Sequence, residues 1–244
     1  MNMMRWPGIV AFAAIVLSTT IGACSSAADY AEQTRASSTR PWTISLKPTT
    51  DESDAKTPQE PRSLRSQPGS PNHTIADYLN DERVTETPIH RGDPGVPEIE
   101  VVFPGDWTVA GQQIPVYAYG ALIYTGTEAQ GLSYPPNIVA VLTKLDGNVD
   151  PTKLLEFAGG ELENLPAFVA VFDEPTSVSG HPAYRIGGGY DFDSVRAAAA
   201  QETVVIEGSG GLYVLQLNAT SDEREAQILY DGLGAIAETV DIKS

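Results

Sequence analysis

One cysteine, Cys24, stands in a chain of 244 residues, and its neighbours decide what its thiol can do. Ahead of it run Ile21-Gly22-Ala23, after an apolar stretch from Trp6 to Leu17 that follows a single charge, Arg5. A positive start, a short apolar core and a small-residue cleavage site are the parts of a secretory signal. A thiol in the first position after such a site is the group that is alkylated with diacylglyceryl in a bacterial lipobox. Residues 1–23 are therefore expected to be removed and Cys24 to carry the lipid. A plain transmembrane anchor fits less well: the apolar core is shorter than the roughly 20 residues a span needs, and Ser18-Thr19-Thr20 interrupt it. Each buried CH₂ contributes about 0.8 kcal/mol, so two or three acyl chains hold a protein firmly to a membrane. The expected location is the extracytoplasmic face of the cell membrane. With its only thiol consumed, the chain has no intramolecular disulfide and must rely on its core.

Other chemistry-bearing patterns are sparse. There is no Gly-x-Ser-x-Gly elbow, no phosphate loop and no His-Glu-x-x-His. The three histidines, at 73, 90 and 181, fall in expected loops, and a metal site would need at least two of them in partnership with carboxylates. No enzyme activity, metal or cofactor is expected. Asp191-Phe192-Asp193 puts two carboxylates on one strand face, where a solvated face is the simpler reading. Arg91-Gly92-Asp93 matches an adhesion tripeptide, but the Asp-Pro-Gly that follows gives it a role as a turn. Gly187-Gly188-Gly189 suggests a bulge or turn, or a place where something approaches the backbone closely. Trp107, Tyr117, Tyr119 and Tyr124 are the candidate ligand-binding rings. Tyr117 and Tyr119 are expected on one face of a strand and Tyr124 on the other, lining either the core or a sugar- or lipid-binding cleft.

The elements that must hold these residues start late in the chain. Residues 24–72 lack sustained apolar periodicity and are rich in Ser, Thr and Pro, a composition that cannot offset ordering entropy. They are read as a disordered tether with a reach of roughly 35–40 Å. Residues 73–244 hold eight basic and twenty-six acidic side chains, net −18. Such a domain repels nucleic acid and anionic headgroups. Its acidity suits solubility, or a cationic partner.

This part is long enough for one domain with a real core. Thr74 can cap a short helix with Ile75, Tyr78 and Leu79 on one face. Residues 87–97 are too rich in Pro and Gly for regular structure. Strands are expected at 99–103, 116–124, 138–142, 168–172, 183–186, 203–206 and 212–217, with a hairpin at 207–211. Asp150-Pro151 opens a second helix that stops at Gly159-Gly160. A third runs from about Ser221, with Thr220 and Glu223 as a capping box and Ala226, Leu229, Leu233, Ile236 and Val240 facing inward. The order argues an α+β single domain: an antiparallel sheet flanked by helices.

Several blocks carry a resemblance. They are Thr74-Ile75-Ala76-Asp77-Tyr78, the run from Glu86 to Gly95, Ile138 to Lys144 with Asp150-Pro151, Glu161 to Pro166, Thr203 to Ile206, and Tyr213 to Asn218. In these the chain resembles the LpqN/LpqT family of mycobacterial lipoproteins. The resemblance implies a Mog1/PsbP-like fold and an acylated protein of the cell envelope. It also implies a link to envelope biogenesis through trehalose glycolipids or their transporters, and it brings no catalytic motif. Two functions follow as expectations. One is binding or handing on a neutral glycolipid beside a lipid exporter. The other is a protein-interaction module for an envelope or host protein, with no small-molecule ligand.

Overall fold

The apolar run from Ala197 to Ile206 and the alternating run from Leu212 to Thr220 pair to form the middle of an antiparallel sheet. The computed structural model describes residues 72–244 apart from 112, 113, 131, 133 and 194; the expected signal peptide, Cys24 and, except for residue 72, the expected tether lie outside the described residues. In chain order the elements are α1 (Ile75–Asp81), β1 (Thr85–Ile89), β2 (Glu98–Glu100), β3 (Trp107–Val109), β4 (Gly120–Tyr124) and β5 (Asn137–Asp146). Then come α2 (Pro151–Glu156), α3 (Gly160–Glu163), β6 (Val169–Val178), β7 (His181–Phe192), β8 (Val195–Gly208), β9 (Gly211–Asp222), α4 (Ala226–Thr239) and β10 (Asp241–Lys243). No described helix is long and apolar enough to cross a membrane.

The sheet runs β3-β4-β5-β9-β8-β7-β6. Strands β6 to β9 form a meander joined by two-residue turns. Strands β4 and β1 share the outer side of β5: β4 pairs with residues 137–140 and β1 with residues 142–146. Strands β2 and β10 make a separate two-stranded ribbon.

Side chains alternate across the sheet, so its two faces can be read from the register. One face carries Ile138, Leu142, Leu215, Leu217, Val204 and Ile206 and is covered by α4 through Leu229, Leu233 and Ile236. The opposite face carries Leu145, Val205 and Val214 beneath Ile75, Tyr78 and Leu79 of α1 and Leu154 of α2. Further along that face, Ile186, Tyr190, Ala197 and Ala199 meet Leu162 and Leu165. The three glycines of β7 serve close packing: a Cβ on Gly188 would strike the Val169 carbonyl, and one on Gly187 the Phe172 ring.

The expected α+β architecture is the one observed, and the local starts hold too. Thr74 and Asp77 form a capping box, with Thr74 Oγ1 accepting from the Asp77 N–H at 3.1 Å and Asp77 Oδ2 accepting from the Thr74 N–H at 3.0 Å. Asp150 Oδ1 accepts from the Thr152 N–H at 2.9 Å and opens α2. Other boundaries differ. Strand β1 passes through Pro88, which an edge strand tolerates because one row of its N–H groups needs no partner. Gly160 begins α3 instead of ending the helix before it. The C-terminal helix starts at Ala226, because Thr220 and Ser221 continue β9 and the first N–H groups after it are capped by Asp222. The strand expected at 116–124 is regular only from Gly120.

Candidate binding site

The four candidate rings do not converge. Trp107 is buried beneath α4, against Gly232, with its ring edge-to-face with Tyr124 at 5.6 Å. Tyr124 is half-buried and donates to Glu128 Oε2 at 2.9 Å. Tyr119 is buried in the same α4-side core, where its hydroxyl accepts from the Ile99 N–H at 3.4 Å and Arg91 lies over its ring. Tyr117 packs on the other face, with Val139 and Val141. The expectation that Tyr117 and Tyr119 share a face therefore does not hold: the chain before Gly120 is a turn, and strand alternation does not apply to it. The α4 side holds one apolar cavity of about 30 Å³, lined by Ile99, Phe103, Tyr119, Leu122 and Ile236 among others. A single water needs roughly 10–15 Å³, so this cavity holds no acyl chain.

A different group of side chains stands out on the opposite face. The register of β5, β9 and β8 sets Val139, Asn218 and Gln201 in one row, Val141, Gln216 and Thr203 in the next, and Thr143, Val214 and Val205 after that. Gln201, Thr203, Gln216, Asn218 and Thr143 are all at most 3% exposed. Gln201 Nε2 donates to Asn218 Oδ1 at 2.8 Å. Among the described residues, no hydrogen-bond partner meets Gln201 Oε1, Asn218 Nδ2, Thr203 Oγ1, Thr143 Oγ1, either amide atom of Gln216, or the Tyr117 hydroxyl. Nearly all buried polar groups in folded proteins are paired, and each unpaired one costs about 1–3 kcal/mol. A row of them in the middle of a sheet is a substantial cost borne in one place.

Tyrosines frame this strip. Burial pushes the Tyr117 hydroxyl up to about 12. Tyr134 shares a 2.6 Å hydrogen bond with Thr220 Oγ1, and burial raises its pKa and that of Tyr190. Asn137 ties the near end of the strip, its Nδ2 donating to the Thr220 carbonyl at 3.2 Å. A cavity of about 10 Å³ opens beside Thr143 and Gln216, under Ile75 and Leu79. That is room for about one water. The strip separates three apolar clusters, and the carboxyl of Glu86 on β1 lines the same cavity at its far end.

Two buried carboxyls lie elsewhere. Glu161 of α3 sits at the first turn of α1, where burial pushes its pKa up to about 8 while the Ile75 and Ala76 N–H groups pull it down without reaching hydrogen-bond geometry. Glu202, on the α4 side, is pushed up to about 7 by burial, against the pull of Arg185. Asp191 is in an ion pair with Arg196 at 3.0 Å and Asp193 is a turn residue with φ 52°, so these two carboxylates form no pair. Among the described residues, no group of three His, Cys, Asp or Glu side chains could hold a metal ion.

The strip's residues escaped the sequence reading, although a signal was there. Gln201-Glu202-Thr203 interrupts an otherwise apolar run from Ala197 to Ile206, and Gln216 and Asn218 alternate with leucines.

An antiparallel sheet with one long helix on one face and three short ones around a buried polar strip on the other defines a small α+β domain. The model of the family described as "Probable lipoprotein LpqN" (Lpp-LpqN) matches residues 71–243, and the chain belongs to that family. It is 41% identical over 177 residues to lipoprotein LpqN of Mycobacterium tuberculosis, covering 72% of this chain and 76% of that one. The crystal structure of LpqN, described as involved in cell envelope biogenesis of that organism, superposes with a TM-score of 0.66 at 41% identity over 71% of this chain and 99% of that chain. The solution structure of cyanobacterial PsbP from Synechocystis is more distant, with a TM-score of 0.40 and 9% identity over 65% of this chain and 92% of that chain.

Proposed function

We propose that this chain is an envelope lipoprotein, anchored in the membrane through lipid on Cys24, that binds a neutral glycolipid of the trehalose-ester type and hands it on beside a lipid exporter. The relative's described involvement in envelope biogenesis supports the setting. The observation that carries the binding is the strip of unpaired amides and hydroxyls on β5, β8 and β9. Amide and hydroxyl groups both donate and accept, as sugar hydroxyls do, and the one carboxyl beside the strip, Glu86, would repel an anionic headgroup. The net charge of −18 over residues 73–244 further disfavours an anionic lipid. Trp107 and Tyr119 belong to the core in this reading. Tyr117, whose hydroxyl lies on the strip's face, is the candidate ring that contacts the sugar.

The role is binding, not catalysis: the family is described by its lipoprotein character, and His73, His90 and His181 stand apart on separate segments. Because the strip is buried and its neighbouring cavity small, entry requires the cover carrying Tyr117 and Tyr134 to part from the sheet. The ligand's acyl chain then lies along the apolar clusters that border the strip.

The test is calorimetric titration of the mature chain with a short-chain trehalose ester and, separately, with an anionic phospholipid. Heat with the ester alone, lost in Asn218→Leu, is the expected result. No heat with the ester, or preference for the phospholipid, would reject the reading.

A further inference from the structure

Residues 72–81 precede every strand of the sheet and lie across the Thr143 end of the polar strip. Ile75, Tyr78 and Leu79 of α1 are buried there, and Ile75 and Leu79 roof the small cavity that Thr143 and Gln216 line from below. Side chains, not a strand ladder, fasten this segment. The Asn72 N–H donates to Asn164 Oδ1 at 3.1 Å, and Asn164 Nδ2 donates back to the Asn72 carbonyl at 2.8 Å. The Asp150 N–H donates to the Tyr78 hydroxyl at 2.8 Å. The His73 and Tyr78 rings pack on Phe157, with centroids 4.6 and 5.6 Å away. Gly160 permits the close approach, since a Cβ there would overlap the His73 carbonyl.

The fit beneath the segment is incomplete. The Glu161 carboxyl is buried under the Ile75 and Ala76 N–H groups, and neither of its oxygens has a hydrogen-bond partner among the described residues. Thr143 Oγ1 is unpaired as well. Such groups regain partners in water when a cover lifts, which lowers the cost of opening. Beyond α1 the chain turns sharply. Arg83 has φ 55°, in the left-handed region that a non-glycine residue adopts at a cost. From the Thr85–Asp146 pair onward, β1 is fixed to β5. Residues 82–84 therefore join a loosely seated helix to a pinned strand.

We infer that residues 72–81 form a strap that pivots about residues 82–84 and lifts from the Thr143 end of the strip, with Asn164 as its buckle. Lifting moves no strand, because β1 stays paired, and it uncovers Thr143, Gln216, Leu145 and Val214. On the glycolipid reading above, and resting on it, the acyl chain takes the place of Ile75 and Leu79 in the lifted state. The opening itself is a local property of the domain, with or without a ligand.

Thiol labelling tests the strap. Cys24 is the only cysteine, so Thr143→Cys in a mature chain carrying Cys24→Ser puts a lone thiol under α1. Val204→Cys in the same background puts a lone thiol on the α4 side, reached only by wider unfolding. With iodoacetamide under native conditions, Thr143→Cys should label faster than Val204→Cys. Adding Asn164→Ala removes both bonds to Asn72 and should speed labelling at 143 about tenfold, with labelling at 204 unchanged. Asn164→Asp keeps the acceptor and loses the donor, so its rate should fall between, and it serves if the alanine variant does not fold. Equal rates at 143 and 204, or a rate at 143 that neither Asn164 variant changes, overturns the proposal. No ligand enters this experiment, so that outcome leaves the titration with the trehalose ester to be decided separately.

Discussion

Gln216→Met separates a strip kept for a ligand from one kept for the fold. Gln216 is 2% exposed, and neither amide atom has a partner among the described residues. Methionine has nearly the same length and shape, so little packing changes. Two unpaired buried groups at about 1–3 kcal/mol each, less what a bound water recovers, give a net relief of about 2 kcal/mol. For a domain of this size each kcal/mol shifts the melting temperature by about 2–4 °C, so the variant should melt about 4–8 °C higher. It should also lose affinity for the short-chain trehalose ester. Differential scanning calorimetry reads the first effect and titration the second. A variant that melts lower would refute the reasoning. It would show that the amide is satisfied by ordered water and that the strip is structural.

Leu233→Asp puts a charge into the α4 stripe at a site 2% exposed; a loss of several kcal/mol and a sharply lowered melting temperature are expected, and an unchanged melt would mean that this face is open. Glu161 holds its proton up to about pH 8 when folded against 4.5 ordinarily, so its contribution to stability is complete below about pH 4.5 and is lost as the pH rises through 8. Glu161→Gln should flatten the fall in melting temperature between pH 5 and 8, and an unchanged slope would clear Glu161 of causing it. Cys24→Ala should abolish incorporation of a fatty-acid probe and leave the protein uncleaved or released; labelling that persists in the variant would place the lipid elsewhere.

The parts of the fold that were legible in sequence are those decided within a few residues. Thr74 with Asp77 and Asp150 with Pro151 announce helix starts because the capping partners are two or three positions away. The β8–β9 hairpin shows in its glycines, and α4 in its apolar stripe. Where long-range pairing decides, the sequence misleads. Thr220 and Glu223 have capping-box spacing, yet Thr220 is claimed by Asn137 on one side and Ala199 on the other. Pro88 reads as a breaker until β5 is seen to need a partner on that side. The polar strip was the least legible. Gln216 and Asn218 alternate with leucines just as a solvent-facing row does, and only α1 and the segments bearing Tyr117 and Tyr134 make that row interior. Sequence left the rings open between core and cleft for the reverse reason, since Trp107 and Tyr119 fill space that α4, over 100 residues later, closes.

The meander has a consequence for the order in which the chain assembles. Strands β6 to β9 find their neighbours across two-residue turns, so their pairing costs little loop entropy and can form early. Strand β5 must instead wait for β9, whose partner residues lie some 67 to 83 positions further on, and β1 and β4 wait for β5. A chain synthesised N-terminus first delivers β1 to β5 before the strand that receives them. Its first half therefore waits with apolar strands exposed, and the late hairpins set the pace of folding. Substitutions at the Ser209-Gly210 turn should accordingly slow refolding, while those in β1 should act mainly on the rate of unfolding.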